Sequence, residues 1–245
     1  MNSDNYTHIH TEPSGVQRAD VWRMFDRIAP TYDLVNRLLS FGLDIRWRKT
    51  VATHMPKERD MVLLDLATGT GDQVISLVKS GRFNEAVGMD MSAGMLEKGR
   101  EKVLQLGLSD TISMLDGDAT SMPLEDSRFD AVTISFGIRN VVHVDKALAE
   151  MCRVLKPGGR AIILEFSLPK SAIVRAGHLF YLRHILPLVG GLVSGDRDAY
   201  RYLNTTIEAF PYGQAFCDLM TTAGFSSATA HRLTFGIATI YVGVR

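Results

Sequence analysis

The stretch LDLATGTGD, Leu64 to Asp72, decides the fold, because an apolar strand runs directly into a glycine loop and then into a helix. Gly69 and Gly71 let the backbone approach a ligand closely, and the helix N-terminus offers free N–H groups to an anionic group. Asp65, at the end of the strand, places a carboxylate beside the loop. The stretch therefore predicts a ligand-binding turn in an α/β fold.

Beyond Met61, short apolar runs alternate with helix-like periods, which predicts a parallel sheet covered by helices. Five strands are predicted, at Met61 to Leu66, Glu85 to Asp90, Thr111 to Leu115, Phe129 to Phe136 and Gly159 to Phe166. A helix near Tyr212 to Ala223 and two strand-like runs, Ala228 to Leu233 and Ile237 to Val244, predict a closing antiparallel hairpin. Right-handed crossovers bring the carboxyl ends of the parallel strands to one edge, where ligands bind.

The most regular helix pattern lies between the fourth and fifth strands. Its apolar positions follow the helical period, at Val144, Ala147, Leu148, Met151 and Leu155. The following Lys156-Pro157-Gly158-Gly159 predicts the end of this helix, because Pro cannot extend a helix and Gly accepts a left-handed turn.

The two ends of the chain differ from this alternating pattern. Residues 1–20 are polar and predict an N-terminal tail, and residues 21–245 are interpreted as a single domain. Residues 21–56 carry helical patterning before any strand, which predicts an N-terminal helical cap.

A second departure from the alternating pattern lies in residues 167–200. The segment Ile173 to Val193 is strongly apolar but interrupted by Pro187 and Gly190-Gly191. We interpret it as an apolar helical insertion, either a helical pair that covers the core or a lid for a substrate tail or a membrane surface.

The composition excludes several classes of protein. A chain of 245 residues that is 46% hydrophobic is folded rather than disordered or fibrous. With 27 basic and 27 acidic residues it has no overall positive charge, so we expect no nucleic-acid partner.

The seven His show no metal-ligand spacing, and no run approaches the roughly 18 apolar residues of a membrane span. Cys152 and Cys217 fit a reducing compartment, so we expect a soluble, cytoplasmic protein without a metal.

Three acids at successive strand ends indicate the ligand. Asp90 can accept both hydroxyls of a ribose, and Asp118 can accept from an adenine amino group while Ala119 leaves room for the ring. Asp65 would repel a pyrophosphate but attract an ammonium group. Val74 stands where the dinucleotide fingerprint has Gly or Ala. S-adenosylmethionine therefore fits these residues better than NAD.

The chain resembles the quinone-biosynthesis C-methyltransferase family, which makes menaquinone from demethylmenaquinol and methylates the polyprenyl-methoxy-benzoquinol precursor of ubiquinone. The resemblance rests on YDLVNRLLSFGLDIRWRK from Tyr32, LDLATGTGD from Leu64, FDAVTISFGIRNV from Phe129, RVLKPGGRAIILEFS from Arg153 and YRYLNTTIEAFP from Tyr200. It covers nearly everything after Val21. It implies a Rossmann-like S-adenosylmethionine-dependent methyltransferase with a mostly parallel seven-stranded sheet, and a polyprenylated quinol as substrate.

The resemblance also implies which residues hold S-adenosylmethionine and its product S-adenosylhomocysteine. Together with the acids and the loop, the expected cofactor residues are Asp65, Gly69, Thr70, Gly71, Asp90, Met91, Asp118, Ala119 and Ser135. Two positions depart from the family pattern. Asp44 stands where the family has a His, and Thr68 replaces a common Gly.

The acceptor side is expected directly beyond the fourth strand. There Arg139 is predicted to stabilise a phenolate, and Asn140 to orient a second ring oxygen or a water. Tyr32 and Asp33 of the cap are predicted to close over the ring and complete the catalytic set. His143 is either a proton acceptor or, as its place at a helix start favours, a helix cap.

Several alternatives stay open at this point. The chain could act on another small molecule or on nucleic acid, bind S-adenosylmethionine without catalysis, or use NAD. Base amino-methylating enzymes place an Asn/Asp-Pro-Pro-aromatic motif where this chain has Ser135-Phe136-Gly137-Ile138. The sequence also leaves open whether the ring is a naphthoquinol or a benzoquinol, whether the chain forms a homodimer, and whether it contacts the inner face of the membrane or partner proteins.

Overall fold

A computed structural model describes residues 20–194 and 196–245. The predicted tail therefore lies, apart from Asp20, outside the described residues. Within the described ranges, seven strands form one sheet: β1 Met61–Leu66, β2 Phe83–Asp90, β3 Ile112–Asp116, β4 Phe129–Ser135, β5 Leu155–Phe166, β6 Ser227–Leu233 and β7 Ala238–Val244. Their order is β3-β2-β1-β4-β5-β7-β6. Strands β1 to β5 are parallel and β7 pairs antiparallel with β5 and β6, so the predicted sheet and hairpin are confirmed.

The same ranges contain the helices α1 Val21–Ile28, α2 Tyr32–Leu39, α3 Leu43–His54, α4 Asp72–Val78, α5 Ala93–Gln105, α6 Val144–Val154, α7 Ala172–Phe180, α8 Leu186–Ser194, α9 Arg197–Ala209 and α10 Gln214–Thr222. Helices α1 to α3 form the predicted cap, and α7 to α9 form the predicted insertion. None of the helices in the described ranges has both the length and the hydropathy needed to cross a bilayer.

Helices cover both faces of the sheet, and alternate residues of a strand point to opposite faces. They therefore pack in two different hydrophobic clusters. Leu64 and Leu66 pack in a cluster with Leu148 of α6 and Phe216 of α10. Leu63 packs on the opposite face with residues of α3 and α4. A third cluster joins α1 and α2 to α8 and α9, so the cap and the insertion pack on each other.

The helix before β5 ends as predicted, but β5 begins at Leu155 rather than at the expected Gly159. Helix α6 ends at Val154, and Leu155 already pairs with Phe129 as the first residue of β5. The segment expected to be a turn is part of the strand, since Arg245 accepts from the Gly158 N–H and donates to the Gly159 carbonyl, both near 3 Å. Long-range pairing with the chain terminus therefore overrides the local turn signal.

The predicted interruption of the insertion at Pro187 and Gly190 is also wrong. The helix runs without a break from α7 through a π-helical turn, Tyr181–Ile185, into α8. The wider turn lies just before Pro187, where a proline would otherwise clash with a carbonyl of the preceding turn. Gly190 serves close packing, since an added Cβ would lie 2.6 Å from the Tyr200 ring on α9.

Candidate active site

The glycine loop between β1 and α4 is tied to the end of β2 by Asp90. Gly69 and Gly71 adopt positive φ values of 56° and 82°, which only glycine reaches without strain. The Gly69 N–H donates to Asp90 Oδ2 at 2.8 Å, and the Ser92 N–H donates to Asp90 Oδ1 at 2.9 Å. Burial raises the pKa of the Asp90 carboxyl. The loop and the predicted ribose contact are thus one structural unit.

Asp65 is buried at the end of β1, next to the loop. Its carboxylate accepts hydrogen bonds from the hydroxyls of Thr133 at 2.5 Å and Thr68 at 2.7 Å. Burial raises the pKa of Asp65 to about 6, although both hydrogen bonds oppose the shift. Thr68 is therefore a direct hydrogen-bond partner of the acid predicted to attract an ammonium group.

A cavity of about 380 Å³ lies along the carboxyl ends of β1, β2 and β4. Of the residues predicted for the cofactor, it is lined by Gly69, Asp90, Met91, Asp118, Ala119 and Ser135. We call it the cofactor cavity. Asp118 itself accepts from the Thr120 N–H at 2.8 Å, which fixes its carboxylate at the cavity wall.

A narrow cleft continues from the cofactor cavity toward the glycine loop. It is lined by Asp65, Thr70 and Gln73, and it shares Gly69 and Ser135 with the cavity. We call it the loop cleft. Gly71 does not line either space, since it caps the N-terminus of α4 and its α-carbon faces Met114.

Asp33, predicted to close over the acceptor ring, lies at the loop cleft instead. Its Oδ1 accepts from the Thr70 hydroxyl at 2.7 Å, and its Oδ2 pairs with Lys102. Lys102 also donates to Asp72 Oδ1 at 2.8 Å. Asp33 therefore connects the cap to the glycine loop, and it is absent from the lining of the large apolar cavity described next.

A second cavity, of about 470 Å³, lies between the cap and the insertion. We call it the apolar cavity, because carbon atoms form most of its wall. It shares Tyr32, Phe136 and Asn140 with the cofactor cavity. The two cavities therefore meet beyond the end of β4, at the place where the sequence predicted the acceptor.

Asn140 and Tyr32 form the boundary between the two cavities. The Asn140 Oδ1 is buried and accepts no hydrogen bond from the described residues. A buried carbonyl oxygen without a donor is costly, so this position favours a ligand hydroxyl. Burial raises the pKa of Tyr32, which therefore stays a neutral phenol.

Arg139 is buried and already paired. Its Nη1 donates to Glu165 Oε1 and to the Phe136 carbonyl, each at 2.6 Å. Its guanidinium carbon lies 5.4 Å from the centroid of the Phe166 ring. The Arg139 Nε is buried without a partner in the described part of the chain. The predicted phenolate-stabilising cation thus lines the apolar cavity as half of an ion pair.

Sequence reasoning missed two side chains that line the apolar cavity, Arg48 and His178, and the buried acid behind Arg139, and it misjudged His143. Glu165 was missed, although an acid inside the apolar run IILEF is an available signal. Arg48 lies within the stretch from Tyr32 and was not singled out. His178 lines the cavity with a buried, unpartnered Nε2 among the described residues, and burial lowers its pKa. His143 makes no side-chain cap bond to α6 and lines the cofactor cavity.

The fold and this site define a Rossmann-like S-adenosylmethionine-dependent methyltransferase. A SAM-dependent methyltransferase of Thermotoga maritima has the same fold, with a TM-score of 0.66 and 20% identity over 91% of this chain and 98% of that one. The cyclase SpnF superimposes with a TM-score of 0.63 and 16% identity over 97% of both chains. These likenesses show the fold alone, because one fold hosts several activities.

The chain belongs to the ubiE/COQ5 methyltransferase family, whose model matches residues 14–245. It is 41% identical to the demethylmenaquinone methyltransferase of Bacteroides fragilis, over 98% of this chain and the whole of that protein. It is 47% identical to the ubiquinone/menaquinone biosynthesis C-methyltransferase UbiE of Geobacter sulfurreducens, over 90% of this chain and 86% of that protein. S-adenosylmethionine is accordingly the cofactor, and the buried carboxylate of Asp65 beside the glycine loop suits its α-ammonium group.

Proposed function

We propose that the protein transfers a methyl group from S-adenosylmethionine to a ring carbon of a polyprenylated quinol in respiratory quinone biosynthesis. The observation that carries the proposal is that the apolar cavity and the cofactor cavity meet at Tyr32, Phe136 and Asn140. An aromatic ring at that boundary would lie beside the methyl donor while its apolar tail filled the larger cavity. The names of the relatives agree with this substrate class.

On the cofactor side, we propose that Asp90 binds the ribose hydroxyls and that Asp118 and Ala119 contact the adenine. Asp65 would face the amino acid end from the loop cleft. Gly69, Thr70, Met91 and Ser135 would line the path between these groups, while Gly71 would act through the shape of the turn. Bound S-adenosylmethionine supplies the methyl group as a sulfonium. Holding both reactants in line can contribute roughly 7 to 11 kcal/mol to the barrier reduction.

On the acceptor side, a ring carbon becomes a good nucleophile when the quinol hydroxyl partly loses its proton. We propose that the Arg139 guanidinium stabilises the negative charge that develops on this oxygen as its proton passes to water, while a second ring hydroxyl donates to the unpartnered Asn140 Oδ1. Methyl transfer then releases neutral S-adenosylhomocysteine, and the methylated ring carbon loses its own proton to water as the ring regains aromaticity. Glu165 would hold Arg139 in place for this role. Tyr32 would close over the ring from the cap, whereas Asp33 would act only by anchoring the cap to the loop.

We further propose that the described domain, within residues 21–245, works at the inner face of a membrane from the cytoplasmic side. Five large apolar side chains in the described part of the insertion are exposed: Ile173, Phe180, Ile185, Leu188 and Leu192. We call them the apolar stripe. A prenylated acceptor is nearly insoluble in water, so an enzyme that takes it up benefits from apolar contact with the bilayer beside its apolar cavity. The cap, residues 21–56, and the lid, residues 167–200, would then enclose the acceptor between them.

The experiment is to supply reduced prenylated naphthoquinol and benzoquinol precursors with methyl-labelled S-adenosylmethionine and to identify the labelled product. The expected result is label on a ring carbon of at least one precursor. Label on oxygen, or no transfer to either reduced ring by a protein that binds the cofactor, would contradict the proposal. Comparing the two precursors also decides between naphthoquinol and benzoquinol.

A further inference from the structure

Arg48, on α3, lies where the loop cleft meets the apolar cavity, and it lines both. Its guanidinium carbon is 5.5 Å from the centroid of the Phe136 ring. Its Nε is buried and donates to no acceptor in the part of the chain that the structure describes. A buried N–H without an acceptor is costly, so a ligand atom that accepts this hydrogen bond binds more tightly.

Arg48 differs in charge from the other ionisable residues around the loop cleft. The carboxylates that line it are those of Asp33, Asp44, Asp65 and Asp72. Among the described lining residues, Arg48 is the one cation. An anionic group that enters the cleft is therefore repelled on most sides and attracted only at Arg48.

The neighbouring cations are already engaged with these acids. Lys102 pairs with Asp33 and Asp72, and Arg37 lies 3.7 Å from Asp72. Asp44 accepts from the Ser40 hydroxyl at 2.6 Å. Arg48 forms no ion pair within the described ranges and acts on Asp65 and Asp72 only at longer range, so its Nε–H is available to a ligand.

We propose that Arg48 binds the α-carboxylate of the methionine moiety of S-adenosylmethionine, while Asp65, which also lines the loop cleft, receives its α-ammonium. A guanidinium matches a carboxylate in planar geometry and can form two parallel hydrogen bonds. With both ends of the zwitterion held, the sulfonium is oriented toward the boundary at Asn140. This inference rests on the proposed placement of the amino acid end in the loop cleft.

The test compares two ligands that differ only in the carboxylate, S-adenosylmethionine and decarboxylated S-adenosylmethionine, by titration calorimetry on the full chain. Arg48→Met is expected to weaken binding of S-adenosylmethionine by about 10- to 100-fold, the range for a charged hydrogen bond, and to leave the decarboxylated ligand within about twofold. Arg46→Met is the matched control, since Arg46 is exposed on the same helix, and it should change neither affinity. Arg48→Lys should recover part of the loss.

Two outcomes would overturn the inference. Equal loss of affinity for both ligands would mean that Arg48 only supports the shape of the cleft, and thermal unfolding of Arg48→Met would then show the same defect. Unchanged affinity for S-adenosylmethionine with a raised KM for the quinol would place Arg48 on the acceptor ring instead. Failure of methyl transfer to quinols in the wild-type protein would refute the proposed function. The affinities measured for the two cofactor ligands would remain valid.

Discussion

The guanidinium of Arg139 and the carboxylate of Glu165 form an ion pair of 2.6 Å between the turn after β4 and the end of β5. Their side chains are 5% and 0% exposed. Removing two charges from water is costly, and it is offset only when both partners are present and hydrogen-bonded. The Arg139 N–H also faces Glu165 Oε2 at 3.4 Å, so this acid holds both the side chain and the backbone of the turn that ends at Asn140.

Arg139→Met is expected to lower the free energy of unfolding by about 3–5 kcal/mol, because it leaves the Glu165 carboxylate buried without its cation. The double variant Arg139→Met/Glu165→Met should recover most of this loss, since neither charge is then buried alone. Denaturant unfolding measures both values. Methyl transfer should stay absent in the double variant although it folds and binds S-adenosylhomocysteine. A double variant as unstable as Arg139→Met would argue against the ion pair as the cause.

The affinity for S-adenosylmethionine should rise between about pH 5 and pH 7. Burial raises the pKa of Asp65 to about 6, and only the ionised carboxylate attracts the ammonium group. Asp65→Asn should bind more weakly at pH 7 and show little pH dependence in this interval. Calorimetric titration at several pH values gives both curves, and a wild-type affinity that is flat with pH would exclude Asp65 as the titrating group.

The raised pKa of Asp65 also makes the stability of the cofactor-free protein depend on pH. Because the folded pKa lies above the ordinary value of 3.8, the folded state binds the proton more tightly than the unfolded state does. The contribution of Asp65 to stability is therefore present below about pH 4 and is lost as the pH rises through about 6. Relative to Asp65→Asn, we expect a loss of about 3 kcal/mol in the free energy of unfolding across that window, measured by denaturant titration.

Gly177, inside α7, lines the apolar cavity, and a Cβ added there would meet no atom within 4 Å. Gly177→Leu is expected to raise the KM for a long-tailed quinol on the order of tenfold, because the new side chain occupies space proposed for the tail, and to leave the Kd for S-adenosylhomocysteine unchanged. Gly177→Ala is the control, and it should stabilise the fold by about 1 kcal/mol through helix propensity. A Leu variant with unchanged KM would place the tail elsewhere.

Membrane contact is predicted to depend on the apolar stripe. The double variant Phe180→Ser/Leu192→Ser should bind vesicles of phosphatidylethanolamine and phosphatidylglycerol at least about tenfold more weakly, because each buried side chain contributes about 1.5–3 kcal/mol. Leu104→Ser removes an equally exposed apolar side chain from α5 and should change nothing. Vesicle flotation measures the bound fraction. Equal flotation of all three proteins would count against the stripe as the docking surface.

Local sequence signals were enough for most of the fold. Apolar runs and the Gly69–Gly71 turn are short-range features, and parallel strands necessarily end at one edge, so the shared location of Asp90 and Asp118 followed from topology. Two predictions about secondary structure were wrong, the start of β5 and the interruption of the insertion helix. In both places, contacts with residues distant in sequence determine the local structure. Arg245 extends the ladder of β5, and Tyr200 packs on Gly190 of the continuous helix.

The sequence by itself determined the α/β class, the ligand type and the edge of the sheet at which we propose that the ligand binds, because these depend on periodicity and on residue types at strand ends. Only the tertiary structure decided which charges meet: Glu165 pairs with Arg139 and Asp33 with Lys102, while Arg48 forms no ion pair among the described residues. These contacts join elements far apart in the chain. Their geometry depends on how the cap and the insertion pack over the sheet, which no local pattern encodes.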